Sequence, residues 1–152
     1  MKAIFLFISF VKQKHLFMIQ RIQTLWLLLA SICAFLTLKF PFYIISEPNN
    51  AVSEFNATSE TPLLMLTSIL GALCFIVIFM FRHRSLQMRL SIVSLLISIL
   101  NIVLYFRYIS NYAAGGVSIF SVFTFLIPVF LLLAIRGIYK DQQLLKKADR
   151  IR

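Results

Sequence analysis

Few side chains in this sequence could do chemistry, and their spacing is the first clue. Ser91, Ser94, Ser98 and Asn101 recur at helical intervals, so one helix face collects three hydroxyls and an amide. Small and polar groups on one face let helices approach closely and hydrogen-bond across the contact, and the same stripe could line a polar path or a small-ligand groove. The remaining reactive groups are scattered. His15 and His83 stand far apart, Cys33 and Cys74 form no C-x-x-C pair, and no two of these four sit at metal-ligand spacing. No Gly-rich phosphate loop, nucleophile elbow or H-E-x-x-H motif occurs. The expectation is a protein that is not an enzyme and holds no cofactor or metal.

The elements that must carry the stripe are dictated by composition. Of 152 residues, 61% are hydrophobic and 13% charged, where a soluble domain carries about a quarter charged. One soluble core of this size could not bury so much apolar surface. A bilayer core of about 30 Å needs roughly 20 helical residues. Four continuous apolar runs meet that need, at about 22–43, 62–81, 90–108 and 117–138. They do not alternate, which favours helices over strands. The predicted fold is an all-α integral membrane protein with four transmembrane helices in an antiparallel bundle. Residues 18–138 form this domain, 1–17 precede it as an extension, and 139–152 follow as a basic amphipathic tail. The extension lacks a cleavage pattern and its apolar part is too short to span; it reads either as an amphipathic surface segment or as untranslated, with Met18 as the start, and the sequence leaves both open.

Charge sets the orientation. Lys and Arg in short flanks mark the cytoplasmic side. By this alternation 13 of the 15 basic residues fall on one side, before the first span, in "RHRSLQMR" and in the tail. Lys39 and Arg107, at span ends, fall on the other with Glu47, Glu54 and Glu60. Both termini are therefore expected in the cytoplasm, and no Asp or Glu is expected within a span. Lys39 and Arg107 have two readings: snorkelling to headgroups, or a shared basic outer site facing an anion or a loop glutamate. The tail, with Lys140, Lys146, Lys147, Arg150 and Arg152, is both a topology signal and a surface for anionic headgroups. The net charge of +10 is thus assigned to the bilayer and not to nucleic acid. A membrane-protein partner or a second copy of the chain completes the list of expected partners.

Other features support packing. Thr67, Gly71 and Cys74 share a face of the second span, Ala30 and Ala34 one of the first, and Pro128 is expected to kink the fourth. "SEPNNAVSEFNATSETP" reads as an outer polar loop and "SNYAAGG" as a flexible turn. Asn56-Ala57-Thr58 matches a glycosylation sequon, a pattern short enough to arise by chance.

The opening "MIQRIQTLWLLLA" at Met18 and the closing "LAIRGIYKDQQLLKKADRIR" resemble domain of unknown function family 4293, small four-span bacterial membrane proteins. Similar proteins open with M-I-Q-R-I-Q-T and end in L-A-x-R-x-I-x-K-D followed by A-D-R-[LI]-R. Gln142 departs from the pattern, which has an acidic residue after the K-D pair. The resemblance implies fold and membrane location, here a bacterial inner membrane, and brings no activity. Two functions from different classes follow: a non-enzymatic scaffold or accessory subunit acting through helix packing and its basic tail, or an oligomeric small channel or transporter subunit.

Overall fold

The computed structural model describes residues 22–46, 52–80, 83–110, 112 and 115–149, with backbone alone at 52 and 144–149. The predicted extension, residues 1–17, lies outside this range. Among the described residues four helices are long and apolar enough to cross a membrane. They are α1 (Ile22–Lys39), α2 (Thr61–Phe79), α3 (Arg84–Ile109) and α4 (Val122–Asp149).

Local sequence explains most boundaries. Pro41 follows the end of α1, where a missing N–H and a fixed φ stop helix growth. α2 opens with Pro62 in its first turn, where the absent donor would have been unpaired anyway. α4 continues through Pro128, which leaves the Thr124 carbonyl without its usual intrahelical donor.

The chain is mostly helical, but it is not all-α. Between the helices run β1 (Tyr43–Ser46), β2 (Val52–Phe55) and β3 (Gly115–Val117), an antiparallel sheet in the order β2-β1-β3. Tyr43 is the pivot of the register, opposite Phe55 on one side and Val117 on the other. The segment expected to be a loop, 46–62, thus contains β2, and the expected flexible turn contributes Gly115 and Gly116 to β3. A Cβ at Gly115 would collide with the Ile44 carbonyl and the Tyr43 ring, so close strand approach requires this glycine. The sequon asparagine serves a local turn. Asn56 Oδ1 accepts from the Thr58 amide at 3.1 Å, the Thr58 hydroxyl at 2.6 Å and the Ser59 hydroxyl at 3.1 Å.

The strands show which helix ends meet. β1 follows α1 and pairs with β2 before α2, and with β3 before α4. The sheet therefore gathers the end of α1 and the starts of α2 and α4. The end of α3 reaches it through Tyr105, whose ring stacks on Phe42 at a centroid distance of 4.2 Å.

Two apolar clusters fill the interior. The larger joins Leu27, Ala30 and Ala34 of α1 to Leu70, Cys74 and Val77 of α2 and to Ile127, Leu131 and Ala134 of α4. The smaller, under the sheet, joins Phe42, Tyr43, Phe55, Ala57, Leu63 and Tyr105. Glycines admit two close contacts. The Phe35 ring lies 3.2 Å from where a Gly71 Cβ would be, and the Gln23 Cγ 2.7 Å from that of Gly137.

The third helix is longer than its predicted span. Most of "RHRSLQMR" is helical, because α3 starts at Arg84. The fourth begins later than expected, after a short 3₁₀ turn at Ile119–Ser121 that Ser118 caps, and runs on to Asp149. Residues 139–149 of the tail expected beyond 138 are therefore continuous with α4 and form no separate segment.

Candidate functional site

The buried side of α3 is made of Gln87, Ser91, Ser94, Ser98, Asn101 and Tyr105. The four stripe residues thus face the interior, and the same phase extends to Gln87 at one end and Tyr105 at the other. The opposite side carries exposed Ile92, Leu96, Ile99 and Val103. Ile97 is half-buried and packs against the larger cluster, so it does not share the outward face.

The hydroxyls are used differently from expectation. Ser91 Oγ donates to the Gln87 carbonyl at 2.8 Å, Ser94 Oγ to Leu90 at 2.9 Å and Ser98 Oγ to Leu95 at 2.7 Å. These are bonds back onto their own helix, the usual refuge of a serine on an apolar helix. Ser94 also faces the Cys74 thiol on α2. Asn101 reaches across, its Nδ2 donating to Thr67 Oγ1 on α2 at 2.9 Å. Two further bridges join helices. Ser31 Oγ on α1 donates to the Gly71 carbonyl at 3.1 Å, and Gln87 Nε2 to the Val77 carbonyl at a long 3.4 Å.

At the end away from the sheet, α3 and α4 are clamped by charge. Arg84 Nη1 lies 2.6 Å from Asp141 Oδ2, and the Asp141 side chain is 1% exposed against 21% for Arg84. Gln142 Nε2 donates to the Arg84 carbonyl at 3.0 Å. An acidic residue at 142 could not donate that bond. Asp141 lies beyond the predicted fourth span, in the continuation of the same helix and on its buried face. The signal was present in the sequence, because Ile127, Leu131, Ala134, Ile138 and Asp141 keep one helical phase.

The other predicted positions are not drawn into a common site. Lys39 and Arg107 are exposed, and the ion pair present among the described residues is at the opposite end of the helices. Lys140 is exposed on α4; the side chains of Lys146 and Lys147 fall outside those described, as do Arg150 and Arg152 altogether. His83 is an exposed residue preceding α3, and His15 lies outside the described residues. Cys33 and Cys74 are free, buried thiols in the larger apolar cluster, where they pack as small hydrophobes. Among the described residues no three His, Cys, Asp or Glu side chains gather as metal ligands.

Several of these polar groups tie helix to helix, and among the described residues four buried atoms make no hydrogen bond of good geometry to protein: Gln23 Nε2, Asn101 Oδ1, the Tyr105 hydroxyl and Asp141 Oδ1. Compared with known families, residues 19–151 match the model described as Domain of unknown function (DUF4293). No curated protein and no solved structure matches the chain.

Proposed function

Since the chain belongs to the DUF4293 family, whose description assigns no activity, its role must be read from its own architecture, and we propose that it is a multi-pass membrane scaffold or accessory subunit that works without catalysis. The observation that carries this reading is the inversion of α3, with its polar residues inside and aliphatic residues outside. Water would penalise that outward face, whereas hydrocarbon is indifferent to it and penalises polar groups left outside.

The helices form an antiparallel transmembrane bundle with the sheet on the outer side. The end bearing Arg84, Arg89, Arg136 and Lys140 faces the cytoplasm, together with both termini, in agreement with the placement of basic residues in the sequence. In a bacterium this is the inner membrane. Lys140, Lys146, Lys147, Arg150 and Arg152 then lie against anionic headgroups or a membrane-protein partner. Packing contacts of this kind also suit a second copy of the chain.

Topology is tested by single cysteines at two exposed positions, Glu54→Cys on β2 and His83→Cys before α3, with Cys33 and Cys74 replaced by alanine. A membrane-impermeant thiol reagent should label position 54 and spare position 83 in intact spheroplasts. The reverse result overturns the orientation. An oligomeric small channel or transporter subunit is the second reading, favoured by the unbroken run of buried polar side chains from Gln87 to Tyr105. Flux of a radiolabelled ion or solute into liposomes holding the purified protein, above that of empty vesicles, would favour it. A stoichiometric membrane partner recovered with the protein, without flux, supports the scaffold.

A further inference from the structure

Beneath the sheet, three polar side chains from two helices converge within otherwise apolar surroundings. Thr67 comes from α2, and Asn101 and Tyr105 lie one turn apart on the buried face of α3. Each is at most 1% exposed. Asn101 Nδ2 donates to Thr67 Oγ1 at 2.9 Å, and the Tyr105 hydroxyl faces the same threonine. Neither Asn101 Oδ1 nor the Tyr105 hydroxyl makes a hydrogen bond of good geometry to protein. Fully buried polar atoms are rarely left without a partner.

Local adjustment does not remove the deficit. The Tyr105 ring is stacked on Phe42 at 4.2 Å and meets Phe55 edge-on at 6.3 Å, so its hydroxyl is held in place. Turning the Asn101 amide over would let its oxygen accept from Thr67, but the NH₂ would then be the unpaired group.

We propose that Thr67, Asn101 and Tyr105 form a binding site for one small neutral molecule that both donates and accepts hydrogen bonds, and that its occupant is an internal water. Asn101 Oδ1 requires a donor, and the Tyr105 hydroxyl can give its proton to an acceptor; water answers both and leaves a second hydrogen for Thr67. A charged occupant is opposed by the surroundings. Phe42, Phe55, Ala57 and Leu63 line the cluster, and among the described residues the buried charged side chain, Asp141, lies at the other end of the helices beside Arg84. The bound molecule links α2 to α3, and through the Tyr105–Phe42 stack it links both to the sheet.

The test uses the full chain in detergent micelles with ¹⁵N-labelled asparagine. Water-to-amide cross-relaxation should appear at the Asn101 side-chain NH₂ and be lost or sharply reduced in Tyr105→Phe. The same substitution should lower Tm by about 2–4 °C, because the water loses a partner. An unchanged or raised Tm overturns the proposal. So does the absence of the water signal in the unmodified chain, a measurement that stands even if Tyr105→Phe does not fold. A signal undiminished in Tyr105→Phe overturns the bridging geometry.

Discussion

α2 and α3 pack against each other and line their contact with different chemistry. α2 turns inward Leu63, Leu70, Gly71, Cys74 and Val77, with Thr67 as its polar member. α3 fully buries Gln87, three serines, Asn101 and Tyr105, while its aliphatic Leu90, Leu95 and Ile97 are only half-buried against the larger cluster. Both helices show aliphatic side chains on the outside, Ile69 and Ile76 on α2 and Leu96 and Val103 on α3. Burial on α3 therefore does not follow hydrophobicity, as it would in water. It is the arrangement that an apolar exterior would favour, and the serine hydroxyls bond to their own backbone. The inward face of α2 supplies the bulk that this thin polar face lacks.

The contrast can be broken most strongly at the charged end. Arg84→Met leaves Asp141 buried with no counter-charge and should destabilise by about 2–3 kcal/mol, below the range for a fully buried pair because Arg84 is partly exposed. Thermal and denaturant unfolding in detergent would measure it. Adding Asp141→Leu should recover most of the loss, since an apolar pair removes the orphaned charge. If the double variant is no better than the single one, the ion pair is not what joins α3 to α4.

Bulk on the polar face is next. Ser98→Phe, at a fully buried position, should cost about 1–3 kcal/mol by overpacking, while Leu96→Phe on the outward face should change little. Equal Tm values for the two would mean that α3 borders a wide cavity or lipid on its polar side, and the transport reading would gain.

The smallest effects sharpen the distinction between a bond across helices and a bond within one. Asn101→Leu removes a contact to Thr67 and should lower stability by about 0.6–1.7 kcal/mol. Ser91→Ala and Ser94→Ala remove hydroxyls bonded to their own helix and should stay within about 0.5 kcal/mol. A serine variant as damaging as Asn101→Leu would show that the serines also carry cross-helix bonds.

Much of this architecture is written locally. Four apolar runs announce four helices, because each helix closes its own hydrogen bonds and needs no distant partner to satisfy its backbone. The inward face of α3 is legible for the same reason: Ser91, Ser94, Ser98 and Asn101 share a side whatever they pack against. What depends on a partner far along the chain could not be read that way. The strands are four, four and three residues long, and Tyr43 becomes a strand residue because Phe55 and Val117 supply its ladder. Asp141 reads as one more charge in a mixed tail until α4 is carried past 138 and Arg84 is brought beside it, 57 positions away in sequence. Periodicity fixes which side a residue faces; only the packed structure supplies what it faces, because hydrogen bonds and ion pairs end within a few ångströms and the chain must first fold to bring the two groups that close.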